Sequence, residues 1–167
     1  MPLILVPAAA ALLVLGRPHL AHQAISVKGR LIMETYCKRG EQVFLASDGG
    51  DYKEGDQLRF AYTQDRAGFL LVFAVDDTGQ VFPYYQEGAL VGSPVAAGAR
   101  VLLPGSVELD GHHGWERIFM LWSPDQFVDS AVRGAVASAR AASGGDVRRI
   151  SSLDLPVEQV SLVLRRP

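Results

Sequence analysis

The segment Asp-Gly-His-His-Gly-Trp-Glu at 110–116 holds the chain's most concentrated set of titratable side chains. Asp110, His112, His113 and Glu116 are residue types that bind divalent metals or exchange protons near neutral pH. Spacing decides how many can act together. Adjacent residues of an extended strand point to opposite faces, so His112 and His113 reach one ion only if the turn bends both inward. A zinc centre takes three or four placed ligands. The expectation is therefore a solvated turn with two exposed histidines, and no metal ligand is assigned. A metal-assisted hydrolase built on this turn is the alternative. Asp48 with Asp51, and Asp76 with Asp77, pair carboxylates, but calcium takes six or more oxygens in ordered spacing. Turn chemistry accounts for Asp76 and Asp77. The chain has no Gly-x-Ser-x-Gly elbow and no Gly-rich phosphate loop. Cys37 is the single cysteine, which gives neither a disulfide framework nor zinc spacing; it reads as a small half-buried strand residue. His19 and His22 read as linker spacers. No catalytic residue and no cofactor is assigned.

The aromatic residues are the stronger candidates. Phe82, Tyr84 and Tyr85 lie in the run Phe-Pro-Tyr-Tyr, and Trp115 follows the paired histidines. Aromatic side chains at sheet edges and loops anchor protein interfaces and stack on sugar rings. Ordinary sheet packing is the competing use. The candidate binding surface is thus Phe82, Tyr84, Tyr85, His112, His113 and Trp115.

These residues need elements to position them. Residues 31–38 alternate with period two, with Leu31, Met33, Thr35 and Cys37 on one face. A second strand is expected at 42–47 and a Gly- and Asp-dense loop at 47–56. Leu58, Phe60 and Tyr62 give the core face of 57–63. The unbroken apolar run 69–75 is too short for most helices and suits a strand covered on both faces. Asp76 to Gly79 supply a hairpin turn with Gly79 at positive φ, and Pro83 marks the returning strand as an edge. Residues 87–100 read as loop. Strands follow at 99–103, 106–110 and 115–122, the last a second central strand, and a final strand at 157–166. One helix is expected, with Ser123 as N-cap, Pro124 at N1 and Gln126 completing a capping box. Its stripe is Phe127, Ala131, Ala135 and Ala139, widened by Val128, Val132 and Val136, and Gly144 and Gly145 end it.

The expected fold class is mainly β: an antiparallel β-sandwich with one α-helix after the penultimate strands, preceded by a short hydrophobic segment. Residues 25–167 form the sandwich domain, and residues 1–24 are the hydrophobic segment and linker. With 49% hydrophobic and 20% charged residues, wholesale disorder is excluded. A formal charge of -2 provides no basic field for nucleic acid. Residues 3–15 carry no charge. They are shorter than the roughly 20 residues of a membrane-crossing helix, and no Lys or Arg precedes them. A membrane anchor, whole or truncated, is the favoured reading; a cleaved signal and a buried segment remain open. Arg17, Lys28 and Arg30 follow the run and pull against an exported C-terminal part.

The segments 52–60, 68–85, 102–106 and 114–124, in that order, resemble the bacterial domain-of-unknown-function 4384 family. The shared pattern is Gly-Asp before a strand, Gly-aromatic-Leu opening the next, an aspartate before a Gly turn, a Tyr-rich segment, a Leu-Pro element and a Gly-x-Glu strand. The resemblance implies an extracytoplasmic domain behind a membrane helix in a Gram-negative envelope, with signalling roles in some members. It supplies no catalytic residue. The function expected on these grounds is a non-enzymatic module, anchored in the inner membrane and periplasmic, that binds a protein or cell-envelope partner. A bare structural spacer is a further alternative.

Overall fold

A computed structural model describes residues 31–85 and 89–167. The hydrophobic run 3–15 and the linker 16–23, with the anchor and signal readings placed on them, lie outside the described residues. Among the described residues no helix is long and apolar enough to cross a membrane.

The chain forms β1 (Ile32–Arg39), β2 (Gln42–Leu45), β3 (Gly50–Asp51), β4 (Gln57–Gln64), β5 (Gly68–Asp76) and β6 (Val81–Pro83). It continues with β7 (Ser93–Val95), β8 (Gly98–Leu102), β9 (Val107–Glu108), β10 (Gly114–Ser123), α1 (Asp129–Ala142) and β11 (Glu158–Arg166). A 3-10 turn at Val147–Arg149 links α1 to β11. The first sheet has the order β2-β1-β4-β8, with β9 also on β4. The second has the order β3-β11-β10-β5-β6, with β7 also on β5. Every pairing is antiparallel except β3 with β11.

The sandwich is as expected, and it gains a third layer. Leu70, Val72 and Ala74 of β5, with Ile118, Met120 and Trp122 of β10, face the first sheet and meet Leu58, Phe60 and Tyr62. The alternate residues Leu71, Phe73, Val75, Phe119 and Leu121 face outward, where α1 and the segment after it cover them through Val132, Val136 and Val147. This double cover is why 69–75 shows no polar alternation. Phe73 and Phe119, directly opposite in register, stack with centroids 5.5 Å apart.

Four details differ from the sequence reading. The helix begins at Asp129, with Val128 at the cap making no side-chain bond, and not at Ser123. Ser123 is still in β10, paired with Phe69; strand pairing there outweighs a cap, which contributes about 1 kcal/mol. Its Oγ instead accepts from the Asp125 N–H at 3.1 Å. The buried stripe is correspondingly Val132, Ala135 and Val136, while Val128 and Ala131 are exposed. Gly144 and Gly145 do end the helix at positive φ, 68° and 85°. The 87–100 segment contains β7, and the 47–56 loop contains β3. Cys37 is fully buried rather than half-buried, and burial pushes its thiol up to about 11.

The 47–56 loop is fixed by a buried carboxylate. Arg39 clasps Asp56 with Nε–Oδ1 at 2.8 Å and Nη2–Oδ2 at 2.6 Å, and the Lys53 N–H donates to Oδ2 at 2.8 Å. The Arg39 bond holds the Asp56 carboxyl below its usual range. A depressed folded-state value contributes stability above the usual carboxylate range and loses it as pH falls through the folded value. Arg39 is partly exposed, which screens the pair. Asp56→Asn is expected to lower stability by about 1–3 kcal/mol at pH 7 and to flatten the acid limb. Urea unfolding at pH 7 and pH 3 measures both effects; an unchanged acid limb contradicts this assignment.

Candidate binding cleft at one end of the sandwich

The inward-facing positions of three neighbouring strands change from apolar to polar at the same end. On β5 the series Leu70, Val72, Ala74 reaches Asp76. On β10 Trp122, Met120, Ile118 reaches Glu116. On β11 Val160, Leu162, Leu164 reaches Arg166. The register sets Glu116 opposite Asp76 and Leu164, with Arg166 opposite Gly114. Alternation thus sends two carboxylates and a guanidinium into the gap between the sheets.

Buried charges require partners. Arg166 Nη1 donates to Glu116 Oε2 at 3.1 Å, and the Tyr84 hydroxyl donates to Glu116 Oε1. Arg166 Nη2 donates to the Asp110 carbonyl and lies 3.4 Å from its Oδ1. Burial raises the Glu116 carboxyl above its ordinary value, against the downward pull of Tyr84 and Arg166. Burial and the neighbouring Glu116 push the Tyr84 phenol well above its ordinary value. The Tyr84 ring also packs beside Phe60, with centroids 6.0 Å apart.

Two turns close the end. In the 76–79 hairpin, Asp76 Oδ1 accepts from Thr78 Oγ1 at 2.7 Å and from the Gln80 N–H at 2.8 Å. Gly79 has φ 93°, as expected, and a Cβ there would strike the Arg140 guanidinium. Arg140 Nη2 donates to the Asp77 carbonyl at 3.0 Å, tying α1 to the hairpin. The Asp77 carboxylate lies against Gly114, where a Cβ would collide with it, and accepts from the Trp115 N–H at 3.3 Å. His112 Nε2 lies 3.4 Å from Asp77 Oδ1, misaligned for a hydrogen bond.

Between these parts is a cleft of about 430 Å³, lined by Gln80, Phe82, Tyr84, Asp110, His112 and Arg166 among others. An aromatic wall over a few convergent polar groups is the usual composition of a small binding site. The six residues singled out from the sequence divide here. Phe82, Tyr84 and His112 line the cleft. Tyr85 packs against the core between the sheets. His113 places Nδ1 2.6 Å from the Pro167 carbonyl oxygen. Trp115 lies on the opposite face of the second sheet, against the outer core and under the Arg148 guanidinium at 5.0 Å. Tyr84 is also part of the buried network rather than a free surface aromatic. The two histidines of the 110–116 turn therefore have different neighbours, and among the described residues no group of three His, Cys, Asp or Glu side chains is placed to hold a metal ion. Sequence reasoning missed Gln80 and Arg166. Arg166 carried a signal: it continues the inward parity of Val160, Leu162 and Leu164.

Family models, curated proteins and solved structures were compared with the chain, and none of the three gives a match.

Removing one member of a buried ion pair costs about 3–5 kcal/mol. Arg166→Met is expected to lose that much and leave Glu116 uncompensated. A carboxyl raised above its unfolded value contributes stability at low pH and loses it as pH rises through the folded value. Arg166→Met should therefore be most destabilised above the ordinary 4.5 of a glutamate. The double variant Glu116→Gln with Arg166→Met should recover part of the loss. Urea titrations from pH 4 to 8 check this; a pH-independent deficit contradicts it.

Proposed function

We propose that the chain is a non-enzymatic binding module of a membrane-anchored bacterial envelope protein. It is held at the inner membrane with the sandwich in the periplasm, and it captures a protein or cell-wall partner in the end cleft. The observation that supports binding is convergence: Phe82 from an edge strand and His112 from a distant turn line one cleft, over a floor held by the Glu116–Arg166 pair. Most of the walls belong to paired strands or to turns held by side-chain hydrogen bonds, which lowers the ordering cost for a ligand. The envelope location is supported by the charge-free run 3–15 and by the resemblance to the domain-of-unknown-function 4384 family. The same resemblance favours a sensing role in which cleft occupancy is relayed to a tethered signalling part.

A photo-crosslinking amino acid in place of Phe82, in the natural gene product tagged at its C-terminus, tests both halves. A discrete adduct is expected at position 82 and not at the exposed helix position of Arg133, reduced at least about fivefold by His112→Ala without a change in melting temperature. Protease added to spheroplasts should digest the tag. Equal adducts at both positions contradict the cleft, and a tag protected until lysis contradicts the periplasmic placement.

A further inference from the structure

The outward face of the first sheet carries a second surface, separate from the end cleft. Register places Tyr36 beside Arg59, Lys38 between Val43 and Gln57, and Leu102 beside Ala61. Between these rows is an open groove of about 610 Å³. Val43 is 65% and Leu102 49% exposed, so the apolar part of the groove is uncovered among the described residues. The charged side chains that line it are Lys38, Arg59 and Arg100, all positive, in a chain whose formal charge is -2. The groove lining is therefore positive, while Glu108 stands at its edge, 3.4 Å from the Gln57 side-chain amide.

Arg100 is placed there at a conformational cost. Among the described residues it is the one non-glycine at positive φ, 53°, where a side chain with a Cβ is disfavoured. The irregular pairing of β4 with β8 between Tyr62 and Gln64 creates the position, and the Arg100 N–H donating to Thr63 Oγ1 at 2.9 Å holds it. Arg100 Nε lies 3.3 Å from Glu34 Oε2. Glu34 is buried, so this carboxylate is already matched and adds no exposed negative charge to the groove. The Lys38 ammonium has no acceptor among the described residues, and the one bond of Arg59 is a long Nε contact to the Leu103 carbonyl at 3.4 Å.

We propose that this groove docks an acidic segment of a partner protein, a chain in which carboxylate side chains alternate with apolar ones. Carboxylates would meet Lys38 and Arg59, and the apolar side chains would cover Val43, Leu102 and Tyr36. Charge complementarity selects the sign of the partner. Concavity selects a peptide over a bilayer: a groove of this volume accepts several side chains, whereas membrane-surface elements present apolar residues outward as a continuous face.

The test uses the full chain, isotopically labelled, and a fluorescent peptide of about twelve residues alternating Glu with Val or Thr. Its counterpart has Gln for every Glu, and vesicles of phosphatidylglycerol are the third probe. The Glu peptide should bind at least about tenfold more tightly than the Gln peptide. It should weaken as salt screens the contacts, and it should perturb the amides of Tyr36, Lys38, Val43, Arg59 and Leu102. Lys38→Glu with Arg59→Glu should abolish binding with the melting temperature unchanged, and the milder Lys38→Gln with Arg59→Gln should weaken it about tenfold. Phe82→Ala should leave it intact, which separates this surface from the end cleft. Equal binding of the Gln peptide, perturbations confined to the cleft, or binding of vesicles without the peptide would each overturn the proposal. Concentration-dependent shifts of the same amides without peptide would overturn it in favour of a second copy of the chain.

Discussion

The structure depends on two strands being apolar on both faces. Fixing the backbone of a residue costs roughly 1–2 kcal/mol, and burying a large aliphatic or aromatic side chain returns about 1.5–3 kcal/mol. A strand covered on one face gains that return at every second residue. β5 and β10 gain it at nearly every residue from Leu70 to Val75 and from Ile118 to Trp122, all of them buried. They are therefore the part of the sheet whose burial contributes most to holding the others. The first sheet is a cover for their inner side, and α1 with the following turn is a cover for their outer side. Arg117 secures the outer cover from within: its guanidinium donates to the Val147 carbonyl, the Ser161 hydroxyl and the Arg148 carbonyl, each at 2.7 Å. Two of these acceptors belong to the 3-10 turn and the third to β11, so one buried cation ties the turn to the second sheet.

The cleft is a consequence of the same geometry. Strict alternation along β5, β10 and β11 points every second side chain between the sheets, including those past the end of the apolar series. Asp76, Glu116 and Arg166 are those side chains. The Glu116–Arg166 ion pair places polar groups at this end, with Arg166 Nε buried and without a partner. Phe82 and His112 are then set around that end by the hairpin and the 110–114 turn, which Asp77 joins.

Much of this was legible in residue order. Period-two alternation gave β1 and β4, the apolar run gave β5 as a doubly covered strand, and Asp76 to Gly79 gave the hairpin. The helix start was not legible, because a Ser-Pro-Asp-Gln capping pattern at 123–126 is a local signal, while Ser123 is held in β10 by a partner more than fifty residues away in the chain. β3 and β7 were hidden in Gly- and Pro-rich segments, since two- and three-residue strands have no period to read. The candidate surface was half legible. Phe82, Tyr84 and His112 converge, but Trp115 is carried to the other face by the parity of β10, and Tyr85 and His113 find other neighbours. The cationic groove was invisible in the sequence because its lining comes from β1, β2, β4 and the segment 100–106, with no shared motif.

The cleft floor is built on the ends of the two strands that are buried on both faces. Native-state hydrogen exchange measures directly how firmly those ends are held. Amides of 70–76 and 116–122 should exchange only through global unfolding, with Glu116 and Asp76 at the cleft as protected as Phe73 and Phe119 in the middle, while the edge strand β2 exchanges by local opening. Exchange of 74–76 and 114–118 through a low-energy partial opening would show that the cleft end frays independently and that the binding site is not preformed.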